Sequence, residues 1–162
     1  MTRALGSTYS EKLGSGMTAT ETTRVTMGFE ARLENRPLAI DLVSALARQM
    51  PNADREFHDE MLTAFGEAFN NIVIHGYRGR SDGMLDIEAE MAPNEMTIRL
   101  IDTGREVDFN DVEPPDLTTM PESGMGVFMI HALVDEVIYR GGSPNVLSLT
   151  KRTTSEHSQE AP

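Results

Sequence analysis

Glu67, Asn71 and His75 recur every fourth residue, a spacing that places their polar side chains along one side of a helix. At 3.6 residues per turn, a step of four advances only about 40° around the axis, so this stripe lies apart from Phe65 and Phe69. A carboxylate can orient or deprotonate a nucleophile, and an amide oxygen can reach Mg²⁺. A solvated helix face is the alternative that the spacing leaves open.

Asp102, Thr103 and Gly104 follow an apolar run that is typical of a strand. An acid at this place can accept a hydrogen bond from an exocyclic amine, and a glycine allows a flat ring to approach the backbone. An ordinary Asx-type turn is the alternative interpretation. Asp-Thr-Gly also occurs in aspartic proteases, but those enzymes need two carboxylates that share a proton. Their domains are nearly all β, and the long helices expected here argue against them.

Gly124, Met125 and Gly126 stand where an acidic loop meets a helical pattern. The N-terminus of a helix presents free N–H groups, and glycines allow phosphate oxygens to approach them. A flexible hinge is the alternative. The chain contains neither the GxxxxGK[ST] pattern of a P-loop nor GxGxxG, so a phosphate site here is of another kind.

The hydrophobic pattern predicts the scaffold that must position these three groups. In chain order, we expect a strand over residues 25–33, helices over 37–50 and 54–76, a hairpin of 84–91 and 96–101, a helix over 125–134, and a hairpin of 137–139 and 146–150. Helices on one face of a mostly antiparallel, mixed sheet form a two-layer α/β sandwich of the α+β class.

Apolar residues at helical spacing define the core-facing sides of the first two helices. The face of the first helix is predicted to contain Leu38, Leu42, Val43, Leu46 and Met50. The face of the second helix, which Asp54 can cap, is predicted to contain Phe57, Met61, Phe65, Ala68, Phe69 and Ile72.

Residues 105–123 lack a hydrophobic period and are expected to form a lid. The folded domain is expected to span 25–152, between flexible tails at 1–24 and 153–162.

Composition limits the classes of protein to consider. A chain of 162 residues with 39% hydrophobic residues is the size of one globular domain. It contains no cysteine, which excludes disulfides and thiolate metal sites and fits a reducing cytoplasm. We expect no signal peptide and no membrane span. A formal net charge of -12 argues against nucleic-acid binding as a main activity.

In order and spacing, the three groups resemble the Bergerat-fold (GHKL) ATPases, which show an E-x-x-x-N helix, a D-x-G turn, a variable lid and a G-x-G that opens a helix. Within that superfamily, the chain is similar to the small anti-sigma factor serine/threonine kinases of bacterial partner-switching systems. The segments EAFNNIVIHGY (67–77), PESGMGVFMIHALVDEV (121–137) and NVLSLTKR (145–152) carry the resemblance. It implies the Bergerat ATP-binding fold over residues 25–152.

The resemblance implies a role for each matching residue, with ATP and Mg²⁺ as cofactors. Glu67 would be the catalytic base near the γ-phosphate, and Asn71 would coordinate Mg²⁺. Asp102 would hold the adenine amino group, with Gly104 beside the ring. His75 matches the pattern without a chemical reason, and we expect a satisfied structural histidine at the helix end. The segment that would wrap the phosphates consists of Gly124, Met125, Gly126 and Val127.

The chain departs from the family pattern in two places. Glu106 stands where the superfamily often has a second glycine. The strand that would add a threonine to the adenine pocket has Gly-Ser-Pro-Asn over residues 142–145. Arg105, the only basic residue between Gly104 and Gly124, is a candidate for a phosphate contact or for a solvated side chain.

The resemblance implies a cytoplasmic, homodimeric protein serine/threonine kinase and anti-sigma factor. Its partners would be a STAS-type anti-sigma-factor antagonist, which it phosphorylates, and a sigma factor or analogous target protein. A nucleotide-binding partner-switching regulator that transfers no phosphate is the alternative, since Glu106 alters the lid hinge. An adaptor domain without nucleotide is a third hypothesis. None of the three predicts direct binding to nucleic acid or membrane.

Overall fold

The computed structural model describes residues 22–78, 80, 82–110 and 125–153. A π-helical turn, Ile72–Gly76, continues the second helix. The predicted order of elements is confirmed, with ends that differ by a few residues. The strands are β1 (Thr23–Glu30), β2 (Met84–Ala92), β3 (Glu95–Asp102), β4 (Glu136–Arg140) and β5 (Asn145–Arg152), and the helices are α1 (Arg36–Ala47), α2 (Arg55–Asn71) and α3 (Met125–Leu133).

The five strands form one sheet in the order β1-β2-β3-β5-β4. All four pairings between the described strands are antiparallel, so this part of the sheet is not mixed. α3 lies between β3 and β4 in the chain, and the last hairpin places β5 beside β3 and β4 at the edge of the sheet. The α+β class with its two layers is confirmed, and the strand order places the ends of β3 and β5 side by side.

Alternation along the strands turns one set of side chains toward the helices. Asp102 follows Leu100 at the next inward position of β3, and it is only 5% exposed. The same alternation carries Asn145 to the buried side of β5. The apolar side chains of this face are Leu85, Ile87, Ala89 and Met91 on β2, Met96, Ile98 and Leu100 on β3, and Leu147 and Leu149 on β5.

The apolar face of α2 determines which of its other side chains point away from the core. The rings of Phe65 and Phe69 meet edge to face at 6.2 Å between centroids. Because this face fixes the rotation of the helix about its axis, Glu67 and Asn71 lie on a different side. All six predicted core residues are buried: Phe57, Met61, Phe65, Ala68, Phe69 and Ile72.

The predicted core face of α1 is partly wrong. Leu38 and Leu42 are 55% and 38% exposed, and the helix ends at Ala47 rather than at Met50. The buried stripe instead contains the small residues Ala39, Val43, Ser44 and Ala47. Small side chains allow α1 to approach α2 closely, whereas the leucine pattern predicted a helix rotated toward its bulkier residues.

Both ends of the predicted domain differ slightly from the structure. β1 begins at Thr23, and Arg24 forms an ion pair of 2.8 Å with Glu90, so the strand includes the last two residues of the predicted N-terminal tail. Thr153, the first residue of the predicted C-terminal tail, is buried and donates its N–H to Asn94 O. Residues 1–21 and 154–162 lie outside the described ranges. Where the structure describes the chain, no helix has the length and apolar character needed to cross a bilayer.

Asp54→Ala tests the cap of the helix that carries Glu67 and Asn71. The Asp54 carboxylate accepts a hydrogen bond of 2.7 Å from Phe57 N. We expect its removal to lower the free energy of unfolding by about 1 kcal/mol, because this N–H loses its acceptor. Urea denaturation followed by circular dichroism measures the change. Asp41→Ala, at an exposed position of α1, is the control, and equal effects of both substitutions would contradict a capping role.

Candidate functional site

The polar side of α2 faces the first turn of α3. A β-carbon built on Gly126 would lie 3.0 Å from Glu67 Oε2 and 3.4 Å from Asn71 Nδ2. A side chain at this position would therefore cover the carboxylate and the amide. The structure thus brings three of the predicted site residues together, and glycine at position 126 leaves the space beside their polar atoms free of a side chain.

The side-chain amide of Asn71 has an unmatched donor. Its Nδ2 is buried and has no hydrogen-bond partner within the described ranges. A buried donor without an acceptor costs about 1–3 kcal/mol, so its presence in a folded protein requires an explanation. A ligand with acceptor oxygens beside Gly126 would provide one. The side chain therefore fits a phosphate group, with its amide oxygen left for a cation bound to that phosphate.

The π-helical turn leads from Asn71 to the Asp-Thr-Gly turn. Its last residue, Gly76, accepts a hydrogen bond of 2.8 Å from Arg105 N. A β-carbon at Gly104 would lie 2.7 Å from Gly76 O and 2.9 Å from Gly76 C. Backbone atoms cannot move aside as a flexible side chain can, so this approach requires glycine at position 104. The end of α2 and the end of β3 are thereby held in contact.

One oxygen of the Asp102 carboxylate is already occupied. Oδ1 accepts hydrogen bonds from Gly104 N at 2.7 Å and from Asn145 Nδ2 at 3.1 Å. The other oxygen, Oδ2, has no hydrogen-bond partner in the part of the chain that the structure describes. A carboxylate oxygen without a hydrogen-bond partner can accept a hydrogen bond from an amine of a ligand.

Tyr77 connects the end of α2 to β2 and to the Asp-Thr-Gly turn. Its hydroxyl accepts a hydrogen bond of 2.9 Å from Thr103 N and donates one to Met84 O. The residue is 2% exposed, and a β-carbon at Gly83 would overlap the ring at 2.3 Å. Tyr77 thus fixes the backbone of the turn that carries Gly104.

The first residues of the predicted lid are anchored. Phe109 is fully buried, its ring centroid lies 5.2 Å from that of Tyr139, and its carbonyl accepts a hydrogen bond of 2.7 Å from His131 Nε2. Val107 N donates to Tyr139 Oη at 3.2 Å. Burial raises the pKa of Tyr139; nearby carboxylates add to this rise, and the hydrogen bond from Val107 opposes it. Residues 111–123 of the predicted lid lie outside the described ranges.

The remaining predicted site residues, and His75, differ in how exposed they are. Gly124 lies outside the described residues. Met125 begins α3 and is 41% exposed, whereas Val127 packs partly against the core. His75 is exposed, so the expected satisfied structural histidine is wrong. His75 lies in the π-helical turn that follows Asn71.

The two residues after Gly104 also differ in their contacts. The side chain of Arg105 is exposed. Glu106 lies against the β4–β5 turn, where a β-carbon at Gly141 would be 2.6 Å from Glu106 Cδ. The residue that replaces the superfamily's second glycine is thus accommodated by a glycine on the neighbouring hairpin.

Two hollows lie elsewhere on the molecule. One of about 410 Å³ on the outer face of the sheet is bordered by Arg99, Arg140 and Arg152, among others. Another of about 290 Å³ at the junction of α1 and α2 is bordered by Arg48 and His58. Neither contains a residue of the three predicted groups. Among the described residues, no group of three or more His, Asp or Glu side chains is arranged to hold a metal ion.

Comparison with known proteins identifies the family of this chain. The model of the family described as "Histidine kinase-like ATPase domain" matches residues 29–151. The chain belongs to this ATPase domain family. A protein named anti-sigma F factor from Clostridium beijerinckii is 34% identical over 116 residues, which cover 69% of this chain and 80% of that protein. An anti-sigma F factor from Thermoanaerobacter sp. (strain X514) is 30% identical over 141 residues, 83% and 97% of the two chains.

A solved structure supports the same fold for this member of the ATPase domain family. The RsbU and RsbW domains of a Mycobacterium tuberculosis protein align with a TM-score of 0.59 and 22% identity. The alignment covers 80% of this chain but only 32% of that chain. This likeness shows the fold alone, and it agrees with the sheet and helix layers described above.

Three residues that border the candidate site received no role from the sequence. Tyr77 and Phe109 hold the turn and the following segment, and Asn145 contacts Asp102 directly. The alternating pattern of residues 145, 147 and 149 is the signal that places Asn145 on the buried face. Its contact with Asp102 depends on the β3–β5 register, which the sequence alone does not provide.

Gly126→Ala tests the contact between α3 and the polar side of α2. We expect the added methyl group to lower the affinity for Mg-ATP by about tenfold or more, because it crowds Glu67 and Asn71. Isothermal titration calorimetry measures the affinity, and a thermal melt verifies the fold. Ala132→Ser, at an exposed position of the same helix, is the control. Unchanged affinity in Gly126→Ala would mean that ATP does not bind beside this glycine.

Proposed function

We propose that this chain is an ATP-dependent protein serine/threonine kinase and anti-sigma factor that phosphorylates a STAS-type anti-sigma-factor antagonist. The observation that carries the proposal is the proximity of Glu67 and Asn71 to the backbone of Gly126. The helix bearing both side chains continues into Gly76, which contacts the turn after Asp102. The backbone therefore connects the helix that carries Glu67 and Asn71, which faces the first turn of α3, to Asp102 at the end of β3.

Each residue group has a distinct task in the proposed reaction. Asp102 Oδ2 accepts a hydrogen bond from the adenine amine, and the first turn of α3 offers backbone N–H groups to the phosphates. Asn71 would donate to a phosphate oxygen through Nδ2 and would hold Mg²⁺ through Oδ1. When bound, Mg²⁺ would supply positive charge that offsets the negative charge on the transferred phosphoryl group.

Glu67 acts as the base in this proposal. Its side chain is half-buried, and Oε2 is directed toward Gly126. The bond between the γ-phosphorus and the oxygen that bridges to the β-phosphate breaks, and a bond forms between that phosphorus and the substrate Ser or Thr oxygen. The proton of the substrate hydroxyl passes to the Glu67 carboxylate, and ADP leaves.

The partner classes follow from the named relatives. Two similar proteins, which this chain matches over 80% and 97% of their lengths, are named anti-sigma F factors. On this basis we extend the proposal to binding of a sigma factor and competition by its antagonist. The resemblance in the sequence also supports a cytoplasmic location and a homodimer. Sedimentation equilibrium of the purified chain measures the oligomeric state.

Glu67→Gln separates phosphate transfer from nucleotide binding. We expect transfer of labelled phosphate from ATP to a STAS-type antagonist to fall by about 100-fold or more, because the amide cannot accept the proton. Affinity for Mg-ATP, measured by calorimetry, is expected to change little. Glu56→Gln, in the first turn of the same helix, is the matched control and should retain transfer.

The same assay distinguishes the hypotheses. Equal transfer by wild type and Glu67→Gln would remove Glu67 as the base. ATP binding by wild type without transfer to any antagonist would favour the non-catalytic partner-switching regulator. Absence of both heat and thermal stabilisation with Mg-ATP would favour an adaptor domain, because a ligand that binds the folded state must stabilise it.

A further inference from the structure

Asn145 is at the centre of a complete hydrogen-bond network. It is 1% exposed and stands directly opposite Asp102 in the β3–β5 ladder. Its Nδ2 donates to Asp102 Oδ1 and to Gly104 O, both at 3.1 Å, and its Oδ1 accepts from Gly142 N at 3.0 Å. A flipped amide would direct its oxygen at two other acceptors, so the neighbours determine the orientation of the amide.

This network restricts what Asp102 offers to a ligand. An unconstrained carboxylate can rotate and present either oxygen. Here Gly104 N and Asn145 Nδ2 both hold Oδ1, so the plane of the carboxylate is fixed. Oδ2 is left as the oxygen that can accept a further hydrogen bond. Because Asn145 uses its donors within the protein, it offers none to a ligand and acts only through Asp102 and the turn.

We infer that Asn145 is a positioning residue that makes the site selective for 6-aminopurine nucleotides, an inference that rests on the proposed function. The exocyclic amine of adenine donates to Asp102 Oδ2. Guanine carries a carbonyl oxygen at the same ring position, and a fixed carboxylate repels it. Without Asn145, only Gly104 N holds Oδ1, so the carboxylate of Asp102 is less constrained and the site distinguishes an amine from a hydrogen atom at that position less well.

A pair of ligands that differ only in this amine tests the inference. The probes are ATP and purine riboside 5′-triphosphate, which has hydrogen in place of the 6-amino group. Wild type is expected to prefer ATP by about tenfold or more, since the hydrogen bond to a charged acceptor is lost with the analogue. In Asn145→Ala, the preference for ATP is expected to fall to about threefold or less because affinity for ATP falls, while affinity for the analogue stays within about threefold of wild type.

Asn145→Asp gives a readout that a purely structural residue would not produce. Two facing carboxylates share a proton, and the pKa of one is raised. Below that pKa, the protonated Asp donates to Asp102 as the amide does, and above it the donor is lost. We therefore expect the preference for ATP to decrease as pH rises in this variant, whereas the amide of wild type keeps its donor throughout the pH series. Asn145→Thr retains one donor and should retain most of the preference.

The outcomes separate this inference from the proposed function. Calorimetry gives both affinities, and thermal melts with each ligand provide them if Asn145→Ala is poorly stable. Equal loss of affinity for both ligands in Asn145→Ala, or a preference in Asn145→Asp that does not vary with pH, overturns the inference alone. Equal affinity of wild type for ATP and for the analogue also overturns the inference alone. Wild type that binds neither ligand overturns the proposed function and the inference with it.

Discussion

The carbonyl of Gly76 occupies the space that a side chain at position 104 would need, and this contact joins the two parts of the site. Gly76 O lies 2.7 Å from the β-carbon position of Gly104 and accepts a hydrogen bond from Arg105 N. α2 brings Glu67 and Asn71 to one side of the contact, and β3 brings Asp102 to the other. Because both partners are backbone, the spacing between the parts does not depend on side-chain rotamers.

The buried polar groups around this contact fall into two kinds. The amide of Asn145 has every hydrogen-bonding group matched by protein, which is the normal condition of a buried polar side chain. Asn71 Nδ2 is buried without a partner among the described residues. Since an unmatched donor costs stability, the two asparagines differ in condition: Asn145 is satisfied by the structure around Asp102, whereas Asn71 keeps a donor that the proposed function assigns to a phosphate oxygen.

Large apolar residues made part of this structure predictable from the sequence. The aromatic face of α2 determines its rotation, so the opposite placement of Glu67 followed directly from helical periodicity. In α1, the same reasoning selected exposed Leu38 and Leu42 and missed the alanines that allow close packing. The contact of Asn145 with Asp102 was not predictable, because a single-residue change of register would turn Asn145 to the other face. Local sequence patterns therefore predicted the helices, the strands and the three candidate site groups. Contacts between neighbouring strands of the sheet could be seen only in the structure.

Phe109 links the chain that follows the Asp-Thr-Gly turn to α3. Its carbonyl is bonded to His131 on α3, and α3 itself begins with Met125. At a rise of about 1.5 Å per residue, the six residues from Met125 to His131 span only about 9 Å. The hydrogen bond to His131 therefore holds Phe109 within about two helical turns of the start of α3. The chain that follows the Asp-Thr-Gly turn is thus anchored to the helix whose first turn lies against Glu67 and Asn71.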